Sequence, residues 1–355
     1  MHKRMITALL LLCVFCIFVC GCQKQQVNEE TLESSNKESI QIGLSFDSFV
    51  IERWLRDRDV FISTAQGLGA EVNFQNANGD IEEQISQIEY FIKKKMDAIV
   101  IIAIDGAALN DVVKKAKDEG IKVICYDRII RNADTDLYIS FDNEQVGVLM
   151  AEAIKESLPK GGDIFIINGS DKDYNVTLVN EGIQKVLKDT DISVKYTAYC
   201  DNWLAELALT AVEEGLRQCE TVDGIIFGND DLAGQGVRAL AEHRLAGKTI
   251  VVAQDAELSA CQRIAERTQK MTVYKSVDEL AKKAAVLTVA LVNGTDITKD
   301  SGEEAGICAE EYIDDGTYKV PYVKVQPVAV TSENLDQEII ESGFHAYEDV
   351  YLNVK

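Results

Sequence analysis

The sequence predicts an α/β protein built as two doubly wound parallel-sheet lobes, and three observations lead there. From Gln41 onward, short apolar runs of strand length alternate with amphipathic stretches of helical length. The alternation comes in two sets, the first closing near Asn143 and the second opening near Asp163, with a helix between. A chain of 355 residues with 46% apolar content also has room for two domains of ordinary size.

The first set reads QIGLSF, EVNFQ, AIVIIA and KVICY; the second reads DIFIIN, VKYTAY, GIIFG, TIVVA and MTVYK. Helical stretches between them include residues 81–94, 109–119, 146–158 and 232–243. The second stretch stops at Gly120, where a glycine C-cap belongs, and KVICY begins two residues later. Strand–helix–strand repetition makes right-handed crossovers and hence a parallel sheet.

The segment before Gln41 reads differently. Lys3 and Arg4 form a basic head, residues 5–20 are almost unbroken apolar, and VCGC follows at 19–22. That run is short for a membrane span and suits the apolar region of an export signal. VCGC resembles the bacterial lipoprotein signal, which implies a signal peptide at 1–21 and a lipid on Cys22. Residues 22–39 are polar throughout and read as a flexible tether. The folded part is then expected outside the cytoplasm, lipid-anchored at the cell membrane.

The formal net charge is −23, and losing Lys3 and Arg4 with the signal makes it two units more negative. Such a field repels nucleic acid and anionic lipid and favours a neutral or cationic ligand. Of nine cysteines, Cys13, Cys16 and Cys20 lie in the signal and Cys22 is the lipid site. The remaining Cys125, Cys200, Cys219, Cys261 and Cys308 are scattered, odd in number and without a CxxC pair, so they read as small buried residues rather than as a metal site or a disulfide framework.

Open parallel sheets hold ligands at the carboxyl ends of their strands. Those ends carry Asp47 and then IERW (51–54), Asp127 and Arg128, Gly169, Ser170 and Asn175, Asn202 and Trp203, Asn229 and Asp230, Gln254 and Asp255, and Lys275. Carboxylates, amides and cations suit a neutral polyol: hydroxyls donate to the first and accept from the others, and ionised partners give the stronger bonds. The flat C–H face of a pyranose can lie on an aromatic ring, for which Trp54 or Trp203 is available. Asp127 and Arg128 are strand neighbours whose side chains point to opposite faces, so they are expected to bond different hydroxyls of one ligand rather than each other. The same residue types also serve as helix caps and turns, so Asn229 reads equally as a cap, Asn202 as a turn and Trp54 as core.

Signals of catalysis are scarce. The sequence has no GxxxxGK loop, no GxGxxG after a strand, no HExxH and no GxSxG. His243 and His345 lack ligand-spaced partners and read as surface or packing residues. NADTD at 132–136 lacks the glycine turn and closing glutamate of a calcium loop and reads as a solvated turn. No catalytic residue, cofactor or metal is expected.

IERW with DRD at 57–59, QNANGD at 75–80, YDRII at 126–130, YISFDNEQVG at 138–147, GND at 228–230, QDAEL at 254–258 and MTVYK at 271–275 together resemble the bacterial D-xylose-binding proteins. These belong to the ribose/xylose/galactose group of periplasmic binding proteins, which feed ABC importers. The resemblance runs from about Gln41 to His345. It implies two lobes joined by three hinge crossings near Asn143, Val277 and 321–323, with residues 40–143 plus 277–322 in one lobe and 144–276 plus 323–355 in the other. It further implies a monomer that closes on a sugar held by Arg53, Trp54, Asp127, Arg128, Asn175, Trp203, Asn229, Asp255 and Lys275. The implied partner is an ABC permease; the ligand-reading subunit of a membrane sensor kinase is the alternative. SDKDYN at 170–175, Tyr199-Cys200 and residues 306–325 depart from the family pattern. With one or two contacts deciding a hydroxymethyl group, glucose competes with xylose. A transcription regulator on the same lobes would need a helix-turn-helix head and a basic face, where this chain has an export signal and excess acid.

Overall fold

The computed structural model describes residues 39–219, 221–299, 308–309 and 311–354. The expected signal peptide, Cys22 and most of the tether lie outside the described residues. Along the chain the first lobe runs β1 (Ile40–Phe46), α1 (Arg53–Gly67), β2 (Ala70–Asn76), α2 (Ile81–Lys93), β3 (Ala98–Ile101), α3 (Asn110–Asp118), β4 (Lys122–Tyr126) and β5 (Leu137–Phe141). The second runs α4 (Asn143–Ser157), β6 (Gly162–Asn168), α5 (Tyr174–Leu187), β7 (Ile192–Tyr199), α6 (Glu206–Cys219), β8 (Gly224–Phe227), α7 (Asp230–Glu242), β9 (Ile250–Gln254), α8 (Leu258–Ala265) and β10 (Met271–Tyr274). The chain then supplies α9 (Val277–Val292), β11 (Glu311–Asp314) and β12 (Lys319–Val325) to the first lobe, and β13 (Val328–Val330) and α10 (Tyr347–Val350) to the second.

The sheets are ordered β11-β12-β5-β4-β3-β1-β2 and β13-β10-β9-β8-β6-β7. All pairings are parallel except β11 with β12 and β10 with β13. The central strands β3 (AIVI) and β8 (GIIF) are buried at every position, as strands covered on both faces must be. β7, at an edge, alternates partly buried and exposed residues. Helix starts follow local chemistry: the Asp80 carboxylate accepts from the amides of Glu82 and Glu83 at 2.9 and 3.2 Å, opening α2. Gly120 closes α3 with φ +80°, a conformation glycine adopts without cost. α4 and α5 cross so tightly that a Cβ on Gly147 would lie 1.9 Å from the Val179 carbonyl oxygen. Cys125, Cys200 and Cys261 are buried among apolar neighbours.

The third crossing differs from the expectation. Tyr322 to Val325 pair with Tyr138 to Phe141 of the first sheet, so the chain passes between sheets at 326–327 rather than at 321–323. Pro321 stands just before the stretch that β12 shares with β5, where its missing N–H costs no ladder bond to that strand. The strands β5, β11, β12 and β13 were outside the nine expected runs. NADTD is a turn tied down by Asp315, whose carboxylate accepts from the amides of Ala133 and Asp134 at 2.9 and 3.1 Å. Among the described residues, no helix is long and apolar enough to cross a membrane.

Candidate ligand-binding site

The carboxyl ends of the two sheets face each other, and the polar side chains there are bonded across the gap. Asp127 follows β4 with φ +63°, a left-handed conformation that costs a non-glycine residue about 1 kcal/mol and is held by its surroundings. Its carbonyl accepts from Tyr138 Oη at 3.0 Å, Ser140 Oγ at 2.7 Å and Asn175 Nδ2 at 3.0 Å. Its carboxylate accepts from Arg53 Nη1 at 2.9 Å and from Asn175 Nδ2 at 3.1 Å. Burial pushes the Asp127 carboxyl up, but Arg53, Lys275 and Arg128 together outweigh it and hold the group below its ordinary range.

Arg53 opens α1 and grips Asp57 one turn on, through Nε at 3.0 Å and Nη2 at 2.8 Å. Its guanidinium lies 4.4 Å from the Trp54 ring and 5.1 Å from that of Phe141. Tyr126 also donates to Asp57. Arg128 turns to a different set: Nη1 donates to Asp47 at 2.8 Å and to the Ala103 carbonyl at 3.1 Å, while Nε lies 2.8 Å from Asp173. Asp127 and Arg128 thus take different partners, and here both sets come from the protein. Burial raises the carboxyls of Asp47 and Asp173 even though Arg128 opposes it. Asp173 caps α5 and belongs to the second lobe, so Arg128–Asp173 and Asp127–Asn175 join the lobes directly.

The second lobe adds Asp255, at φ +99°, ion-paired with Lys275 at 2.6 Å. Trp203, at φ +59°, lies against the end of β6. A Cβ on Gly169 would lie 2.3 Å from its ring, so the glycine is what lets the indole sit there. Arg53, Trp54, Asp127, Arg128, Asn175, Trp203, Asp255 and Lys275 line one cavity, joined by Ile51, Asn143, Asp173 and Gln254. With the lobes bonded together its free volume is about 20 Å³, room for about one water. Buried within its wall, Trp54 Nε1, Trp203 Nε1 and Gln254 Oε1 have no hydrogen-bond partner among the described residues.

Asn229 is set apart. Its Oδ1 caps α7 by accepting from Leu232 N at 2.9 Å, and the residue is not part of the cavity lining. The cap reading of Asn229 is the one the geometry matches. Trp54 is both core, at 2% exposure, and cavity wall. Asp173 was not singled out by sequence, and Asn143 only as a crossing; an acid just ahead of a helix, as at Asp173, is the N-cap signal that could have marked it. Gln254 and Asp47 stood at strand ends but carried no further signal.

Behind Asp255 lies a buried acidic pair. Asp230 accepts from Thr272 Oγ1 at 2.6 Å and Gln269 Nε2 at 2.7 Å, and burial, opposed by Arg263, pushes it up to about 7. Glu257 is pushed up to about 10, first by burial and then by Asp230, Asp255, Asp231 and Glu52. A carboxyl raised on folding stabilises the fold at low pH and loses that contribution as pH climbs from its ordinary value toward its folded one. Glu257→Gln is therefore expected to raise the melting temperature at pH 9, by the equivalent of roughly 2 kcal/mol, and to change little at pH 4.5. Melting curves across that range check this; an equal effect at both pH values would contradict it.

Residues 42–296 match the model of the periplasmic binding protein domain family. The chain belongs to that family. Within it, the chain is 41% identical to a D-xylose-binding periplasmic protein of Haemophilus influenzae, covering 90% of this chain and 94% of the relative. It is 40% identical to the D-xylose-binding periplasmic protein of Escherichia coli, covering 88% and 93%. A solved ABC-transporter solute-binding protein of Clostridium phytofermentans with bound β-D-glucose superposes with TM-score 0.78 at 27% identity, over 87% of this chain and 99% of that one. A carbohydrate-transporter solute-binding protein of Chloroflexus aurantiacus in complex with D-glucose gives TM-score 0.77 at 26% identity, over 87% and 98%. The two α/β lobes are those of the type I periplasmic binding protein fold.

Proposed function

We propose that this chain is an extracytoplasmic solute-binding receptor for a monosaccharide, D-xylose first and D-glucose second, delivering it to an ABC importer. The observation that carries the reading is the meeting of Arg53, Trp54, Asp127 and Arg128 with Asn175, Trp203, Asp255 and Lys275 in one cavity between the lobes. Carboxylates, guanidinia and amides set around two indoles match a hydroxylated, uncharged ring, and no nucleophile, base or metal is needed to hold one. The names of the relatives and of the glucose-bound neighbours support an aldopyranose. Sugar hydroxyls would take over bonds that the lobes make to each other, closing the lobes about crossings at 142, 275–276 and 326–327.

A calorimetric and thermal-shift panel of pentoses and hexoses tests this. The bound sugar at a hundredfold excess over its Kd should add about 2.7 kcal/mol of stability, and it should be recovered chemically unchanged. A panel in which no monosaccharide shifts the melting curve would sink the receptor reading. The signal at 1–21, the tether at 22–39 and the lipid on Cys22 are part of the same proposal. Cys22→Ala should move the expressed protein from the membrane fraction to the soluble one; an unchanged membrane fraction would remove the lipid anchor.

A further inference from the structure

We propose that the cleft has a second chamber that accepts the next unit of a glycoside, so that a disaccharide binds as well as a free monosaccharide. The inference rests on the receptor reading above. The chamber adjoins the first cavity, sharing Arg128 and Trp203 as wall, and has a volume of about 190 Å³. That is far above the ~15 Å³ one water needs and on the scale of a hydroxylated ring. Asp47, Asn78 and Ile104 bound it from the first lobe, and Ser170, Asn202 and Leu204 from the second, so it takes shape only when the lobes meet.

Its wall holds one buried acceptor that nothing engages, which separates it from an incidental gap. In the first cavity Arg53, Asp127, Asn175, Asp255 and Lys275 bond one another. In the second, Asp47 is 6% exposed and its Oδ1 has no hydrogen-bond partner. Ser170, 5% exposed, lines the chamber as well, and Asn78 and Asn202 reach it from exposed positions. Such a mix of one acceptor carboxylate, two amides, a hydroxyl and an indole repeats the chemistry of the first cavity. Asn78 and Asn202, at φ +52° and +51°, hold left-handed turns that asparagine tolerates, and these bring the two amides to the chamber. The Arg128 charge is already met by Asp47 and Asp173, so an uncharged substituent fits and a phosphate or carboxylate does not.

The test uses the mature chain titrated calorimetrically with xylose, glucose, xylobiose and cellobiose. The expected result is that the disaccharide of whichever monosaccharide binds has an affinity within tenfold of it. Asn78→Gly with Asn202→Gly, which suits both left-handed positions, should weaken the disaccharide at least tenfold and leave the monosaccharide within twofold. Monosaccharide binding in that variant also reports that it is folded. A bound monosaccharide that a thousandfold excess of its disaccharide fails to displace overturns the chamber alone. Disaccharide affinity untouched by the double substitution does the same. Absence of binding by any of the four sugars overturns the receptor reading and the chamber with it.

Discussion

Arg128→Ala should cost at least about 3 kcal/mol of folding stability at pH 8 and weaken sugar binding by roughly two orders of magnitude. The guanidinium is buried and serves Asp47 at 2.8 Å, Asp173 at 2.8 Å and the Ala103 carbonyl at 3.1 Å. Its removal leaves two carboxylates in low dielectric without a counter-charge, a far larger penalty than the net worth of the pairs themselves. Burial raises both carboxyls even with Arg128 present, so in the variant they take up protons more readily still. A raised carboxyl favours the fold below its ordinary range and loses that support as pH rises, so the deficit should shrink toward pH 5. Denaturant titrations at pH 5 and pH 8 read this directly. Arg128→Lys should recover part of the stability but little of the affinity, since one ammonium cannot replace a fork that spans two carboxylates. A variant as stable as the parent at pH 8, with unchanged affinity, would remove Arg128 from the site.

Trp203→Ala carries the second large effect. The indole is 7% exposed, lies against Gly169 and forms wall in both cavities. Truncating a buried tryptophan costs about 3–5 kcal/mol through lost contacts and the space left behind. Binding should fall about 100-fold, from the loss of a flat apolar face and of the Nε1 donor, while Trp203→Phe keeps the face and should lose about tenfold or less. Calorimetry on both variants separates the two contributions. Equal affinities for alanine, phenylalanine and tryptophan at this position would show that the sugar does not touch the ring.

The two lobes were legible because strand and helix periods are local properties, and KVICY or GIIFG needs no distant partner to be recognised. What sequence missed depends on partners far along the chain. β12 was outside the expected runs, and its place in the first sheet shows only when β5 is laid beside its later half. Asp173 reads as a helix cap, and it is one; its second oxygen meets Arg128, 45 positions earlier, only because the lobes come together. Asn229 shows the reverse: a strand-end amide with the right chemistry for a sugar, occupied instead by the start of α7. Asp127, Trp203 and Asp255 hold left-handed angles at the cavity while Asn229 is extended, a difference of backbone that residue type alone does not reveal.

The bonds that tie Arg128 to Asp173 and Asp127 to Asn175 have a further effect on how tightly cargo is kept. A solute arriving between the lobes would find the two indole N–H groups and Gln254 Oε1 idle, but it would have to swap places with partners already engaged at the charged groups, and be credited there only with the difference. In the proposed receptor this would temper retention, and a transporter prying the halves apart would be helped by side chains ready to re-engage each other as the sugar departs.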